Sequence, residues 1–216
     1  MDGTVLKIYW GNAASVTIPE GVTSIGMIAF DFHHGLTNVS IPSSVTSIAA
    51  STFWRCRNLT SIIVDTQNPA YSSVEGILFN KDITALIKYP AGRQKKNYTY
   101  NIPTGVISIG ECAFLDCDNL TRITIPESVT AIGEYSFSSC RILTKITIPE
   151  SVTSIKDGVF SGCRALANII IPSNVASIGA KAFYDCPNLE TITLSRNTEI
   201  EHTALEGFSG KLIYRD

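Results

Sequence analysis

The sequence predicts a strand-dominated α/β repeat solenoid, and two periodicities and the composition point to it. Pro19 and Pro42 lie 23 residues apart, and Pro103, Pro126, Pro149 and Pro172 succeed one another at the same interval, each directly after an Ile. Phe30 and Phe53 keep that interval, as do Phe114, Phe137, Phe160 and Phe183. A fixed period of about 20–50 residues is the mark of stacked repeats. Of the 216 residues, 44% are hydrophobic and 17% charged, enough apolar material for a continuous core.

The unit reads Leu-Thr-x-Ile-x-Ile-Pro-x-x-Val-x-x-Ile-Gly-x-x-Ala-Phe-x-x-Cys-x-x, most cleanly from Leu120 to Arg141. Ile123-Thr124-Ile125 alternates apolar and polar, which predicts a short strand with one buried face. Pro126 removes a backbone donor and ends that strand. Val129 and Ile132 turn inward on the next side, and Gly133 is read as a tight corner. Ser136, Phe137 and Cys140 have the spacing of a single helical turn that presses Phe137 inward. One unit buries too little to stand alone, so units must stack. Their strands are expected to form a parallel ladder about 4.8 Å apart.

The boundaries expected within a single domain over 1–216 follow from where the pattern holds. Residues 1–14 are read as a capping hairpin around Thr4–Trp10, 15–60 as regular repeats, 61–98 as variant hairpin repeats, 99–190 as regular repeats, and 191–216 as the last repeat with a closing strand at Lys211–Tyr214. In the variant segment, Gly76-Ile77-Leu78-Phe79-Asn80 and Thr84-Ala85-Leu86-Ile87-Lys88-Tyr89-Pro90 flank the polar Lys81-Asp82, the pattern of a β-hairpin.

Charge and hydropathy narrow the function classes. A net charge of −2 gives no basic face of the kind a nucleic-acid partner needs. No apolar run approaches the roughly 18 residues of a membrane span. Met1-Asp2-Gly3-Thr4 lacks the basic and apolar regions of a signal peptide, which keeps a cytoplasmic location open.

No catalytic constellation emerges, and neither a metal nor a cofactor is expected. Cys56, Cys117, Cys140, Cys163 and Cys186 share one column, with His33 and Phe208 in the equivalent places. Interchange with Phe reads as a stack of buried, reduced thiols acting as small apolar groups, and no Cys-x-x-Cys zinc spacing exists. Cys112 has no repeat-equivalent partner. His33, His34 and His202 lack the mutually placed groups that a site requires, and no Gly-x-Ser-x-Gly occurs. Asn38, Asn58, Asn97 and Asn119 head Asn-x-Ser/Thr sequons, of which the Asn58 and Asn119 copies arise from the repeat itself, and all are read as accidental matches rather than glycan sites. Arg93-Gln94-Lys95-Lys96 is read as a solvated basic loop.

The units resemble the BspA-type, or Treponema-type, leucine-rich repeats. The resemblance rests on the repeated Ile-Pro-x-x-Val-x-x-Ile-Gly-x-x-Ala-Phe, on Asn68-Pro69-Ala70-Tyr71-Ser72-Ser73 leading to Gly76–Asp82, and on Gly11–Pro19. It implies a leucine-rich-repeat right-handed superhelix with short helical turns. It also implies a non-catalytic, secreted or cell-surface, monomeric module that adheres to a protein partner such as a host extracellular-matrix or cell-surface protein. The alternative is an intracellular scaffold, consistent with unpaired cysteines. In either case the expected partner surface is the outward face of the ladder: Asn38, Ser40, Ser61, Ile63, Arg122, Thr124, Lys145, Thr147, Asn168, Ile170, Thr191 and Thr193, all read as exposed. Solenoids use such extended surfaces for partners.

Overall fold

A computed structural model describes residues 4–93 and 98–215, which fall in two compact units, 1–93 and 94–216. Each unit is a strand-dominated parallel β solenoid of the leucine-rich-repeat fold.

In the first unit Ser15–Thr17, Asn38–Ile41 and Ser61–Val64 form one parallel ladder. Thr4–Leu6, Val22–Ile25 and Ser47–Ile48 form a second on another side of the coils. Tyr71–Val74, Ile77–Asn80 and Ala85–Lys88 then run antiparallel. Asn68 launches this excursion from inside the fold. Its side-chain amide donates to the carbonyls of Pro42 (2.7 Å) and Val45 (2.9 Å), and its oxygen accepts the amides of Ala70 and Tyr71. All four bonding places of a buried carboxamide are thereby filled, as burial requires.

In the second unit Tyr98–Asn101, Leu120–Thr124 and Lys145–Thr147 form a parallel ladder, and so do Asn168–Ile170, Thr191–Ser195 and Lys211–Arg215. The register between regular coils is one 23-residue repeat, so Ile123 faces Ile146 and Ile169 faces Ile192. Lys211–Arg215 is the closing strand.

The core consists of columns. Phe30 and Phe53 stack at 5.6 Å in the first unit. In the second, Phe114, Phe137, Phe160 and Phe183 stack at 5.1, 5.8 and 5.5 Å with their planes within 19° of one another. Each such pair adds about 0.5–1.5 kcal/mol beyond its burial. Tyr9 and Tyr100 lie tilted against the first Phe of each stack.

Two expectations are corrected. The Phe-bearing segment is not helical, and no helix occurs among the described residues. In the second unit two left-handed residues bracket each stacked Phe: Cys112 and Asp116 around Phe114, Tyr135 (φ 52°) and Ser139 (φ 57°) around Phe137, Gly158 and Gly162 around Phe160, Lys181 and Asp185 around Phe183. The amides consequently alternate. Those of Tyr135, Phe137 and Ser139 donate to Asp157, Val159 and Ser161 on the next coil, while those of Ser136, Ser138 and Cys140 donate three residues back. A helix would spend every amide within the segment; here half of them tie coils together.

The second correction concerns the N-terminus. Thr4–Leu6 does not fold into a hairpin but pairs in parallel with Val22–Ile25. The Gly26 amide donates to Leu6 O and the Tyr9 amide to Ala29 O, so the segment lies along the following coil.

Gly133, read as a tight corner, stands between Ala131–Ile132 and the turn that follows, without a left-handed φ. A Cβ added there would lie 2.5 Å from the Glu111 nitrogen and 2.6 Å from the Gly110 carbonyl carbon. The glycine lets two coils approach.

Two stability outcomes follow. Phe137→Ala should lower stability by about 3–5 kcal/mol and Thr147→Ala by less than half of that, measured by urea unfolding; equal midpoints would mean that the faces are inverted. Gly133→Ala should cost about 1–3 kcal/mol, because the added methyl meets backbone that has no rotamer to yield, and an unchanged melting temperature would count against the close-approach explanation.

Candidate partner-binding face

Alternation along each ladder strand sends one set of side chains into the core and the other outward. In the first unit Asn38, Ser40 and Ser61 are half-buried on the outward face, and Ile63 is 53% exposed. In the second, Arg122, Thr124, Lys145, Thr147 and Asn168 are exposed and Ile170 is 55% exposed. Register pairs Arg122 with Lys145 and Thr124 with Thr147, and pairs Asn168 with Thr191 and Ile170 with Thr193. Thr191 is half-buried, its hydroxyl hydrogen-bonded to the Asn168 side chain.

Thr193, read as exposed, is buried at 6%. It stands in the ladder between Ile170 and Ile213, and two branched apolar neighbours shield its short side chain.

Recesses lie beside the outward Ile residues. A cavity of about 440 Å³ opens between the coil carrying Lys145, Thr147 and Glu150 and the next, carrying Asn168, Ile170 and Pro172. In the first unit one of about 300 Å³ lies among Ser40, Pro42, Ile63, Glu20 and Asp65. The sequence reading missed the Pro and acidic edge residues, although the recurring Ile-Pro-Glu at 18–20, 125–127 and 148–150 carries them.

The abundant hydroxyls on the strand flanks serve the fold. Thr60 and Thr144 donate to Thr37 O and Thr121 O on the preceding coil, at 2.9 and 3.0 Å. Ser128 and Ser151 do likewise to Val106 O and Val129 O. Ala167, at the next place in the threonine column, has no hydroxyl to give.

The six cysteines are buried and form no disulfide. Cys140, Cys163 and Cys186 donate their thiols to Phe114, Phe137 and Phe160 O at 3.1–3.2 Å, and Cys56 donates to Phe30 O at 2.9 Å. Burial pushes the Cys56 thiol up to about 12, against the opposing pull of Lys88, and the Cys186 thiol up to about 11. Cys140 and Cys163 are raised well above the ordinary range for the same reason. A nucleophilic or metal-binding thiol needs the opposite shift.

His33 Nδ1 lies 3.0 Å from Asp31 O, and its ring packs on Tyr9 and Phe30. His202 contacts Glu201 on the surface. No metal-holding group of His, Cys, Asp and Glu occurs among the described residues, and no helix there is long and apolar enough to cross a membrane.

The sequon at Asn119 is buried, and the Asn58 amide donates to His34 O at 2.6 Å; Asn97 lies outside the described residues. Arg93, read as solvated, is tucked in with its side chain 14% exposed and pairs with Glu75 at 2.8 Å. Gln94, Lys95 and Lys96 lie outside the described residues.

A profile of the BspA type leucine rich repeat region matches residues 8–84 and 93–210 in six copies. The chain belongs to the BspA-type leucine-rich-repeat family. Among solved structures it is similar to a leucine rich cell surface protein from Faecalibacterium prausnitzii A2-165, with 29% identity, TM-score 0.78, and coverage of 93% of this chain and 59% of that one. It is also similar to the pneumococcal vaccine antigen PcpA, with 25% identity, TM-score 0.73, and coverage of 85% and 51%. A leucine-rich repeat protein from Eubacterium ventriosum, at 23% identity, TM-score 0.68 and coverage of 89% and 64%, shares the fold. The chain thus spans about three-fifths or less of the first two structures. No curated protein sequence matches it.

The thiols give a pH-dependent outcome. A thiol whose pKa is raised by folding contributes stability that is complete below its unfolded value, 9.0, and is lost as pH rises through the folded one. The urea midpoint should therefore fall between about pH 9 and 12, and fall less in a Cys56→Ala/Cys186→Ala protein. Native thiol labelling at pH 8 should be slow, with all six groups reacting after denaturation; rapid native labelling would contradict the buried column.

Proposed function

We propose that this chain is a non-catalytic protein-binding module that adheres to a protein partner at the cell surface, holding it across the outward face of the ladder. The observation that carries this reading is the arrangement of Arg122, Thr124, Lys145 and Thr147. They stand exposed and in register over a buried Ile column, so they contribute nothing to the core and are presented as a set. The family and the cell-surface relative support a surface interaction role. The partner class is an extracellular-matrix or cell-surface protein, and affinity is spread over several coils, since no residue of the set is by itself a strong anchor. A second reading, an intracellular scaffold, draws on six cysteines that form no disulfide, which suits a reducing compartment.

Thr124→Arg/Thr147→Arg adds bulk and charge to the face and leaves the core intact. Capture of the protein on immobilised extracellular-matrix extract should be lost in this variant with its melting temperature unchanged. Retained capture would move the site off the ladder. Absence of any matrix capture by the unaltered protein would favour the intracellular reading.

A further inference from the structure

In the second unit the ladder that carries the outward face, from Tyr98–Asn101 to Lys211–Arg215, is interrupted at one place among the described residues. Lys145–Thr147 pairs with Leu120–Thr124, and Asn168–Ile170 pairs with Thr191–Ser195, but the two strands belong to different sheets and exchange no backbone hydrogen bonds among the described residues. The side-chain tie also lapses there: Thr144 bonds Thr121 O, whereas Ala167 has no hydroxyl to reach Thr144. The 440 Å³ cavity occupies this junction.

Its walls carry Ile146, Ile148, Ile170 and Pro172 together with Thr144, Thr147 and Asn168, and its ends are charged. Ile146 and Ile148 belong to the buried column, and Ile170 projects where the ladder otherwise presents Thr124 and Thr147. Lys145 opens the strand and Glu150 follows it; both are exposed, and neither is ion-paired among the described residues. The first unit repeats the device independently. Ile63, at the same place in the coil, stands beside its own recess, there edged by Glu20 and Asp65. In both units the recess accompanies the Ile that replaces a Ser or Thr.

We propose that the recess beside Ile170 is an anchor pocket for one leucine or aromatic side chain of an extended protein segment that carries an acidic residue two places to one side and a basic residue two places to the other. This rests on the ladder face being the partner face. In an extended strand, residues two apart share one face at about 6.6–7 Å spacing. Such a segment therefore sets its acidic group over Lys145 and its basic group over Glu150 while the central side chain enters the recess. The volume lies within the range of small-ligand pockets, about 300–1,000 Å³, and admits an aromatic ring.

The test uses a blocked synthetic peptide, Ser-Asp-Ser-Leu-Ser-Lys-Ser, titrated into protein labelled at its Ile methyls. Shifts should concentrate at Ile170, Ile146 and Ile148. Binding should weaken about tenfold or more, the loss of one buried apolar contact, either for the peptide with Leu replaced by Ser or for Ile170→Thr. That variant restores the threonine of the column and should fold normally. Exchanging the peptide's Asp and Lys should also weaken binding. Absence of shifts at millimolar peptide, or binding indifferent to Ile170→Thr, overturns the pocket. If matrix capture is nonetheless abolished in Thr124→Arg/Thr147→Arg, the ladder reading survives and the pocket alone fails; if that capture too is unaffected, both fail.

Discussion

A 23-residue coil cannot bury its own apolar side chains, and it acquires a core only when the same residues of the next coil settle upon them. In-register stacking is therefore the constraint from which the rest of each unit follows. It puts Phe137 on Phe160 and Ile123 on Ile146. It demands a glycine at 133, where two backbones approach too closely for a methyl group. It also turns half the amides of the Phe-bearing segment outward to the neighbouring coil, which is why that segment places left-handed residues two positions either side of Phe137 instead of winding into a helix.

The polar residues divide along the same lines. Serines and threonines flanking the strands are spent on the carbonyls of the preceding coil, a use that fixes spacing and leaves little for a partner. The outward residues of the strands themselves are not so used in the second unit, where Arg122, Thr124, Lys145 and Thr147 stand clear. Where a column changes residue type, the surface changes with it. Ala167 drops a tie and Ile170 puts an apolar group outside, at the junction where the ladder is interrupted and the recess opens.

The cysteines illustrate how position in a column overrides intrinsic chemistry. Cys56, Cys140, Cys163 and Cys186 are enclosed between coils with their thiols directed at phenylalanine carbonyls, and loss of solvation holds them protonated far above neutral pH. What distinguishes the surface is distributed: many modest polar groups in register, with the outward isoleucines Ile63, Ile170 and Ile213, rather than one concentrated reactive centre.

Periodicity alone determined much of this. The recurring Pro, Phe and Cys marked the coils, Ile123-Thr124-Ile125 marked the strand and its two faces, and Gly76–Asn80 with Thr84–Pro90 marked the antiparallel excursion. Such patterns report which side chains must avoid water, and burial of apolar columns leaves little choice about them. They do not report which carbonyl receives each amide. Ser136, Phe137 and Cys140 have helical spacing, yet only the neighbouring coil makes the bonds that replace the helix. Nor do they report what stands beside a residue across coils. Thr193 is buried because Ile170 and Ile213 flank it, Arg93 is tucked in and pairs with Glu75, and the ladder is interrupted between Thr147 and Asn168. Each of these was decided by contacts between residues far apart in the chain, which only the tertiary structure brings together.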